Sequence, residues 1–422
     1  MAASPPRRFL LATLGSTGDV FPFLALGSAL QNAGHQVTLL ANSSYRPAAA
    51  TAQIDFAPVP RARRGPDLGK VIAEMLETPN RLEQLEKLYA GLAPVFGDLL
   101  DETRARLPEH DVLVSSYLFP FLKNVARGTG KKCAVLVFCP NNVPFADAGP
   151  EDAPKEPLRT PKVLRRLHHR LGWSIGQKLL DGIVARQAGP ALRARGLGKF
   201  RGFLRDPADR ALVTVSEKLF PPPGPMPKKY IHTGFLRWRP AMNENATADL
   251  ARVATIEKRG GPLPVLTFGS MAPADAQAQF ARLLAAWPRG APLVVQSGGV
   301  EWPVAIERPE ILVIGPVPHE ALFERATLVI HHGGAGTTAA ALHAGRPQII
   351  IPHLGDQYYW AKEAQKLGVA KVLTRETWPE NLAMMVAEVL RDIKMIRKSM
   401  EYAAIIRAEN GAEQAVQELE YL

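Results

Sequence analysis

Short apolar runs, each followed by a polar or glycine-rich loop, recur along both halves of the chain. They occupy residues 9–14, 36–41, 111–116, 132–138 and 211–216 in the first half, and 264–268, 293–297, 311–314, 329–330 and 347–351 in the second. Runs of this length between loops are typical of strands buried in parallel sheets. Residues 21–33 and 357–367 instead show the apolar spacing of helices. The alternation predicts an α/β protein.

The two halves of the chain begin with the same element. Residues 13–16 read Thr-Leu-Gly-Ser, and residues 267–270 read Thr-Phe-Gly-Ser, each at the end of an apolar run. With 422 residues, the chain is long enough for two domains with separate cores. We therefore expect a first domain over 1–236, a linker over 237–260 and a second domain over 261–422. The last helix of the chain is a candidate to pack back on the first domain.

A glycine-rich bend at Gly333, Gly334 and Gly336 lies between the apolar run at 329–330 and a helical segment over 337–344. Glycines let a backbone approach a ligand closely. The first N–H groups of a helix, together with its positive dipole end, form an anion site. This strand–turn–helix unit therefore predicts a site for a diphosphate.

A second polar turn, residues 354–357, follows the run at 347–351 and opens the next helix. Loops that follow parallel strands lie together at the carboxyl edge of a sheet. We therefore expect His332, Asp356 and Gln357 to share one cleft, formed where two doubly wound domains face each other.

The segment His-His-Gly-Gly-Ala-Gly-Thr-Thr at 331–338, with Gly-Asp-Gln at 355–357, resembles the donor-binding signature of the family 1 (UDP-glycosyltransferase-like) enzymes. It is most similar to the sterol glucosyltransferase branch and to related bacterial enzymes that glycosylate lipids. The resemblance implies the GT-B fold, an α/β architecture of two Rossmann-like domains. It also implies that His332 contacts the donor diphosphate, that Asp356 and Gln357 bind sugar hydroxyls, and that the turn holds the phosphate oxygens through Gly334, Gly336 and Thr337.

Residues 315–319 resemble the base-binding loop of the same family, which points to Val317 and His319 as donor-binding residues. Plant members often carry Trp where Pro316 stands, so the preferred nucleobase stays open. The turns after the apolar runs add Ser16, Ser270 and Ser297 to the predicted donor-binding residues.

The loop after the first apolar run reads Gly-Ser-Thr-Gly-Asp-Val at 15–20. It has no G-x-G-x-x-G pattern, so we do not expect a nicotinamide cofactor. In the sterol branch a similar loop, with Arg where Thr17 stands, carries the catalytic base. The resemblance therefore makes Asp19 the candidate base, and the alternative is a solvated loop carboxylate. The helix after this loop is expected to begin near Phe21.

Aromatic and amide side chains in the first half could line a pocket for an apolar acceptor, because several stand next to predicted sheet edges. The candidates are Phe21, Phe119, Phe138 and Asn141. Such aromatic residues are also common in plain protein cores, and that alternative stays open.

Residues 155–205 carry 13 Lys or Arg and only Glu156 and Asp181 as acids, a net charge of +11 that equals the formal charge of the whole chain. Leucine and isoleucine alternate with the cations, as in basic amphipathic helices that rest on anionic membranes. A nucleic-acid partner is not expected, because no recognisable binding module accompanies the charge. An ordinary solvated helix face is the remaining alternative.

Two cysteines, Cys133 and Cys139, fit neither a disulfide framework nor a zinc site and favour a reducing cytoplasm. The apolar run at 9–14 is too short for a signal-peptide core. We therefore expect a cytoplasmic protein, with a peripheral membrane position left open.

Together these features predict an inverting hexosyltransferase that moves a sugar from a UDP- or dTDP-sugar to a hydroxyl of a hydrophobic acceptor, such as a sterol or lipid. No Asp-x-Asp metal motif occurs, so no metal or other cofactor is expected to be required. Two alternatives stay open: a cell-wall-type enzyme acting on a polyprenyl-diphosphate-linked acceptor, and a non-catalytic sugar-nucleotide-binding protein.

Overall fold

The structure is a computed structural model that describes residues 5–60, 68–78, 80–151, 153, 160–269, 271, 275–298 and 308–422. Predicted donor residue Ser270 and residues 155–159 of the basic segment lie outside the described residues. The chain divides into two compact units. The first unit contains residues 1–67, 86–238 and 410–422, and the second contains 68–85 and 239–409.

The first unit is built on a parallel sheet of seven strands within the described residues, in the order β3-β2-β1-β4-β5-β6-β7. The strands are β1 (Arg8–Ala12), β2 (Gln36–Ala41), β3 (Asp55–Pro58), β4 (Val112–Ser116), β5 (Lys132–Val137), β6 (Arg210–Val213) and β7 (Tyr230–His232). Their side chains are largely buried on both faces, which explains why they read as continuous apolar runs.

The second unit is built on a parallel sheet of six described strands, in the order β10-β9-β8-β11-β12-β13. The strands are β8 (Pro264–Thr267), β9 (Leu293–Gln296), β10 (Ile311–Ile314), β11 (Leu328–His331), β12 (Gln348–Ile350) and β13 (Ala370–Val372). The α/β architecture predicted from the alternation of runs is therefore confirmed in both halves.

Helices cover both sheets. Those that belong to the first unit are α1 (Thr17–Asn32), α2 (Arg46–Thr51), most of α4 (Arg81–Arg106), α5 (Lys123–Gly128), α6 (Lys162–Gln187), α7 (Gly189–Ala194) and α15 (Gly411–Glu420). Those of the second unit are α3 (Leu68–Leu76), α8 (Glu244–Glu257), α9 (Ala276–Ala286), α10 (His319–Phe323), α11 (Ala335–Ala344), α12 (Gln357–Leu367), α13 (Trp378–Arg391) and α14 (Ile393–Arg407). Short 3-10 turns occupy Ser43–Tyr45, Leu107–Glu109, Pro120–Leu122 and Pro140–Asn142.

Each sheet has a point where the strand order reverses, between β1 and β4 in the first and between β8 and β11 in the second. Loops at such a point diverge to opposite faces of the sheet and leave a crevice at its carboxyl edge. The turn before α1 follows β1, and the turn before α11 follows β11. Both predicted functional turns are therefore next to a reversal point.

The prediction that residues 15–19 form a loop and that the helix begins near Phe21 is wrong. Helix α1 begins at Thr17, so Asp19 lies in its first turn. Ser16 is the N-cap residue, and it forms a capping box with the Asp19 side chain three positions later. Pro22 lies inside the helix and gives the sequence a misleading start signal, because proline usually marks the first turn.

Three segments depart from a simple division into two halves. Residues 68–85, which come from the first half, group with the second unit, and residues 410–422 group with the first. The expected linker over 237–260 contains α8, a helix whose Val253 and Ile256 are buried in the second unit. Helix α15 buries Ala415, Val416 and Leu419 in the same cluster as strand β1.

We expect Leu419→Ala to destabilise the first unit, because Leu419 is fully buried among the apolar residues of its core. Truncating a buried leucine costs about 2–5 kcal/mol of unfolding free energy, depending on how far the cavity collapses. Tyr421→Ala is the matched control, since Tyr421 is exposed. Denaturant unfolding followed by circular dichroism measures both variants. Equal stability of the two would show that α15 is not part of this core.

Candidate functional site

The turn between β1 and α1 holds Asp19 against its own backbone. The Asp19 carboxylate accepts hydrogen bonds from the Ser16 backbone N–H, at 2.8 Å, and from the Ser16 hydroxyl, at 2.9 Å. Gly15 has a φ of +142°, and a Cβ at this position would lie 2.3 Å from Asp19 Oδ2. Only glycine therefore allows the carboxylate to fold back onto the turn.

Burial raises the pKa of the Asp19 carboxyl group above its ordinary value, and the two hydrogen bonds from Ser16 oppose that shift. Desolvation favours the neutral form of an acid, whereas donors to the carboxylate favour the charged form. The residue as a whole is half-buried. Asp19 is thus a carboxylate of increased basicity.

Polar and aromatic groups surround this turn. The Gly15 N–H donates to Asn42 Oδ1 at 2.9 Å, and the Tyr45 hydroxyl lies 3.5 Å from the Gly15 carbonyl oxygen. Phe21 is half-buried and packs edge-to-face on Tyr45. Burial, followed by the charge of Asp19, raises the pKa of the Tyr45 hydroxyl, so it stays protonated near neutral pH.

The structure separates the four residues predicted for an acceptor pocket. Phe119 has no exposed surface and packs on Phe96 and Phe121, so the plain-core alternative describes it. Phe138 is nearly buried and contacts Phe23 and Tyr117 through ring edges.

Phe21 and Asn141 are the two members of this predicted set that keep some exposure. The Asn141 side-chain oxygen is buried and accepts no hydrogen bond from the described residues. Asn141 follows β5 at the carboxyl edge of the first sheet, where an unpaired acceptor can meet a ligand donor.

In the second unit, His331 fixes the glycine turn that precedes α11. Its Nδ1 accepts from the Gly333 N–H at 3.0 Å, so its Nε2 carries the proton and donates to Gln348 Oε1 at 2.8 Å. Burial, the largest cause, holds the pKa of His331 at about 4. The ring is therefore neutral at pH 7 and connects the glycine turn to strand β12.

Gly333 has a φ of +89°, and a Cβ there would lie 2.8 Å from Ile350 Cγ2 and 3.1 Å from the Gln357 carbonyl oxygen. The turn therefore needs glycine for its backbone conformation and for its contact with the loop after β12.

The His332 ring is held between two glycines. A Cβ at Gly334 would lie 2.4 Å from its Nε2, and a Cβ at Gly269 would lie 3.2 Å from its Cε1. Its buried Nδ1 has no hydrogen-bond partner among the described residues. Burial, then the neighbouring histidines, keeps the pKa of His332 well below its ordinary value. His332 is thus a neutral imidazole with an unused polar atom.

Helix α11 begins at Ala335, three positions after His332, with Gly334 as its N-cap residue and no side-chain cap. The first N–H groups of this ten-residue helix, those of Ala335, Gly336 and Thr337, therefore have no helical acceptor. Gly336 is exposed and Thr337 is buried. The arrangement matches an anion site at a helix terminus with an imidazole ring beside it, whose Nε2 edge lies against the N-cap residue Gly334.

The side chain of Gln357 stabilises the loop after β12 through hydrogen bonds to the loop backbone. Gln357 Oε1 accepts from the backbone N–H groups of His353, at 2.8 Å, and Leu354, at 3.1 Å. Its Nε2 faces Met271 Sδ at 3.2 Å, a weak acceptor. Asp356, the N-cap residue of α12, is half-buried. The predicted Asp-Gln pair therefore divides into a partly exposed carboxylate and a glutamine that shapes the loop.

Gln84, at the start of α4, supports the same loop from a distant part of the sequence. Its Oε1 accepts from the Gly355 N–H at 3.2 Å, and its Nε2 donates to the Thr78 carbonyl oxygen at 2.7 Å. The Arg81 guanidinium lies 5.4 Å from the Tyr358 ring centroid.

The residues predicted to bind the donor base already make hydrogen bonds or ring contacts with other residues of the second unit. The Val317 carbonyl accepts from Gln296 Nε2 at 2.6 Å, and its side chain is in a core cluster. The His319 ring stacks on Phe323 at 4.8 Å, and burial lowers its pKa to about 4. The Ser297 hydroxyl donates to the Ile314 carbonyl at 2.9 Å. Gln296 Oε1 is buried and unpaired among the described residues.

No group of three or more histidine, cysteine or acidic side chains in the described parts of the chain is placed to hold a metal ion.

Sequence reasoning missed His331, Gln348 and Gln84. The doubled histidine at 331–332 was the available signal, since the first of the two ends a buried strand. Nothing local marks Gln84, because its partner Gly355 is 271 positions away.

Two family models match different parts of the chain. Residues 9–97 match the glycosyltransferase family 28 N-terminal domain. Residues 304–422 match the erythromycin biosynthesis protein CIII-like, C-terminal domain.

The chain is 28% identical over 431 residues to O-mycaminosyltylonolide 6-deoxyallosyltransferase of Streptomyces fradiae, covering 97% of this chain and 96% of that protein. It is 26% identical over 433 residues to the sterol 3-beta-glucosyltransferase of Komagataella phaffii, covering 98% of this chain but 35% of that longer protein. The crystal structure of Streptomyces sp. SF2575 glycosyltransferase SsfS6 with thymidine diphosphate is similar, with a TM-score of 0.65 and 20% identity over 99% of this chain and 100% of that one.

We expect Ser16→Ala to raise the pKa of Asp19 further. The change removes the hydroxyl that donates to the carboxylate at 2.9 Å and therefore destabilises the charged form. Carbon-13 NMR titration of the aspartate carboxyl groups measures the shift. Thr17→Ala, in the exposed first turn of α1, is the matched control and should leave the pKa unchanged. An unchanged or lowered pKa in Ser16→Ala would contradict this account of the turn.

Proposed function

Because this chain is a glycosyltransferase of family 1 with the GT-B fold, we propose that it transfers a hexose from a nucleoside diphosphate sugar to a hydroxyl of a hydrophobic acceptor, with inversion at the anomeric carbon. The observation that carries the proposal is the turn at 332–337, where the uncapped N-terminus of α11 lies next to the His332 ring, whose Nε2 is against Gly334. UDP and dTDP sugars are the proposed donors. The neighbour SsfS6 holds thymidine diphosphate, which supports this donor class.

At the donor diphosphate, the N–H groups of Ala335, Gly336 and Thr337 would bind phosphate oxygens, and the neutral His332 ring would donate one hydrogen bond. Negative charge develops on the leaving diphosphate as its bond to the sugar breaks. Fixed donors stabilise such charge without reorganising, provided that water is excluded. A bound diphosphate would also favour the protonated form of His332, because opposite charges raise the pKa of an imidazole.

At the acceptor, Asp19 would act as general base. As the acceptor oxygen forms its bond to the anomeric carbon, its proton passes to the Asp19 carboxylate and the nucleoside diphosphate leaves from the opposite face. Burial makes Asp19 a stronger base than an exposed aspartate, and proton transfer accompanies bond formation because an alcohol is far less acidic than a carboxylic acid. Transfer should fall as the pH drops through the raised pKa of Asp19, since only the carboxylate accepts the proton.

Donor sugar selection is assigned to the loop at 353–357. Asp356 offers a partly exposed carboxylate for sugar hydroxyls. Gln357 would offer a ligand one amide N–H group, because its Nε2 carries two and one of them faces Met271 Sδ. Gln84 would position this loop through Gly355. Polar sites of this kind reject sugars that leave their groups unpaired.

A lipophilic acceptor is supported by the relatives, which are named for a tylonolide derivative and for sterols. Within the first unit, Phe21, Tyr45 and Asn141 are half-buried residues near the carboxyl edge that would contact it.

Asp19→Asn should abolish transfer while leaving donor affinity intact. Asparagine can keep the hydrogen bonds from Ser16 but accepts no proton, so turnover should fall by roughly 10²- to 10⁴-fold. The measurement is turnover with UDP- and dTDP-sugars, together with nucleotide affinity by calorimetry on the same preparation.

Thr17→Ala serves as the control variant in the first turn of α1. Turnover of Asp19→Asn within a few-fold of wild type would remove Asp19 from the mechanism. Nucleotide binding by wild type without transfer to any lipophilic acceptor tested would favour a non-catalytic binding protein.

Gly334→Ala should weaken nucleoside diphosphate binding by displacing the His332 ring, since the new Cβ would lie 2.4 Å from Nε2. The effect should be about tenfold, the range of a lost hydrogen bond to a charged group. In a His332→Ala background, Gly334→Ala should weaken nucleoside diphosphate binding little further, because the effects of substitutions at coupled residues do not add. Additive losses would show that Gly334 acts independently of His332.

A further inference from the structure

Helix α6 packs on the first unit through one face. His169, Trp173, Ile183 and Val184 are its buried residues. The Trp173 indole donates to the carbonyl oxygens of Phe145, at 3.0 Å, and Ala148, at 2.8 Å. This anchored face satisfies the ordinary requirement that an amphipathic surface helix bury its apolar side.

The opposite face of α6 is also apolar. Six aliphatic side chains there are 46% to 78% exposed: Val163, Leu164, Leu167, Leu171, Ile175 and Leu179. Five of them recur at every fourth position. At 3.6 residues per turn, the mean direction of the six side chains is rotated about 170° around the helix axis from that of the buried residues. The stripe is about 24 Å long at 1.5 Å per residue. We call it the α6 stripe.

A water-exposed helix face is normally polar, and a contiguous exposed apolar patch marks a place of interaction. No other helix in the described chain presents more than two large hydrophobic side chains that are exposed; α14, with Ile393 and Met400, presents two. The α6 stripe therefore needs a partner that takes up apolar side chains.

The charges around the stripe indicate which partner. Residues 160–205 contain eleven Lys or Arg and one acid, Asp181. Three of these cations are paired with carboxylates outside the segment, namely Arg166 with Asp147, Arg186 with Glu86 and Arg195 with Asp101. The Asp181 carboxylate accepts from the Gly202 and Phe203 N–H groups, each at 2.9 Å. By helical geometry Arg165 and Arg170 stand at the two borders of the stripe and Lys178 lies within it, and all three are exposed. No ion pair found among the described residues involves either guanidinium, although the charge of Arg165 acts on Asp147, the partner of Arg166.

We propose that the α6 stripe inserts into the interface of an anionic lipid bilayer, with the bordering cations on the lipid headgroups. Interfacial helices combine this apolar face with basic residues. A second copy of the chain fits less well, because pairing two such faces would bring the same positive charges together. None of the helices in the described residues is long and apolar enough to cross a membrane, so the contact is peripheral.

This docking face goes beyond the proposed glycosyl transfer, and its test needs no enzyme activity. The full chain is mixed with vesicles of phosphatidylcholine alone, or of phosphatidylcholine with phosphatidylglycerol, and bound protein is separated by flotation. We expect binding to the anionic vesicles that weakens with added salt, because charged contacts are screened. Binding equally to neutral vesicles, or no binding at all, would overturn the proposal.

The double variant Leu167→Ser/Leu171→Ser should reduce partition into anionic vesicles by on the order of tenfold or more. Both side chains are exposed, so the fold should be unchanged by circular dichroism. The matched control Met384→Ser/Met400→Ser removes two equally exposed apolar side chains from the second unit and should bind as wild type does. Equal binding by all three proteins would overturn the assignment of the stripe.

Arg165→Gln/Arg170→Gln should weaken binding at low salt and reduce its salt dependence. Sedimentation velocity without lipid tests the alternative that a second copy of the chain covers the α6 stripe. A dimer of wild type that is lost in Leu167→Ser/Leu171→Ser would assign the stripe to a second copy of the chain instead of a membrane.

Discussion

The absence of side-chain volume in the turns after the central strands is the constraint on which both candidate sites depend. At Gly15 a Cβ would occupy the position of the Asp19 carboxylate, and at Gly334 it would occupy that of the His332 ring. At Gly298 it would lie 1.1 Å from the Gly269 carbonyl oxygen, so two loops of the second sheet touch through bare backbone. Parallel strands bring these turns to the carboxyl edges of their sheets, and glycine lets the side chains of the candidate sites fold onto them.

Burial then sets the protonation state of the groups held by these turns. Removal from water favours the neutral form, so it raises the pKa of Asp19 and lowers the pKa of His319, His331 and His332. One physical cause thus makes the carboxylate more basic and keeps the imidazoles uncharged. In His331 that neutrality has a structural use, because one ring nitrogen must accept from Gly333 while the other donates to Gln348.

Helix α6 shows a different use of apolar surface. Its inner face is fixed by Trp173, whose indole N–H bonds two loop carbonyls. Its outer face presents aliphatic side chains that the described part of the chain leaves uncovered. The fold therefore holds the outer face in a defined orientation on the first unit. A loosely attached helix could instead turn its apolar side inward.

The sequence by itself determined the strands, the glycine turns and the placing of Asp19 and His332 after them, because each depends on local features: apolar run length, glycine and polar spacing. It did not reveal that α1 starts at Thr17, since the capping box of Ser16 and Asp19 competes with the start signal of Pro22. Only the tertiary structure decided that Phe119 is core, that Gln357 closes its own loop, that Gln84 supports Gly355, and that leucines of α6 face outward. The physical reason is that burial and hydrogen-bond partners at these positions are set by residues distant in the chain, which the local pattern does not contain.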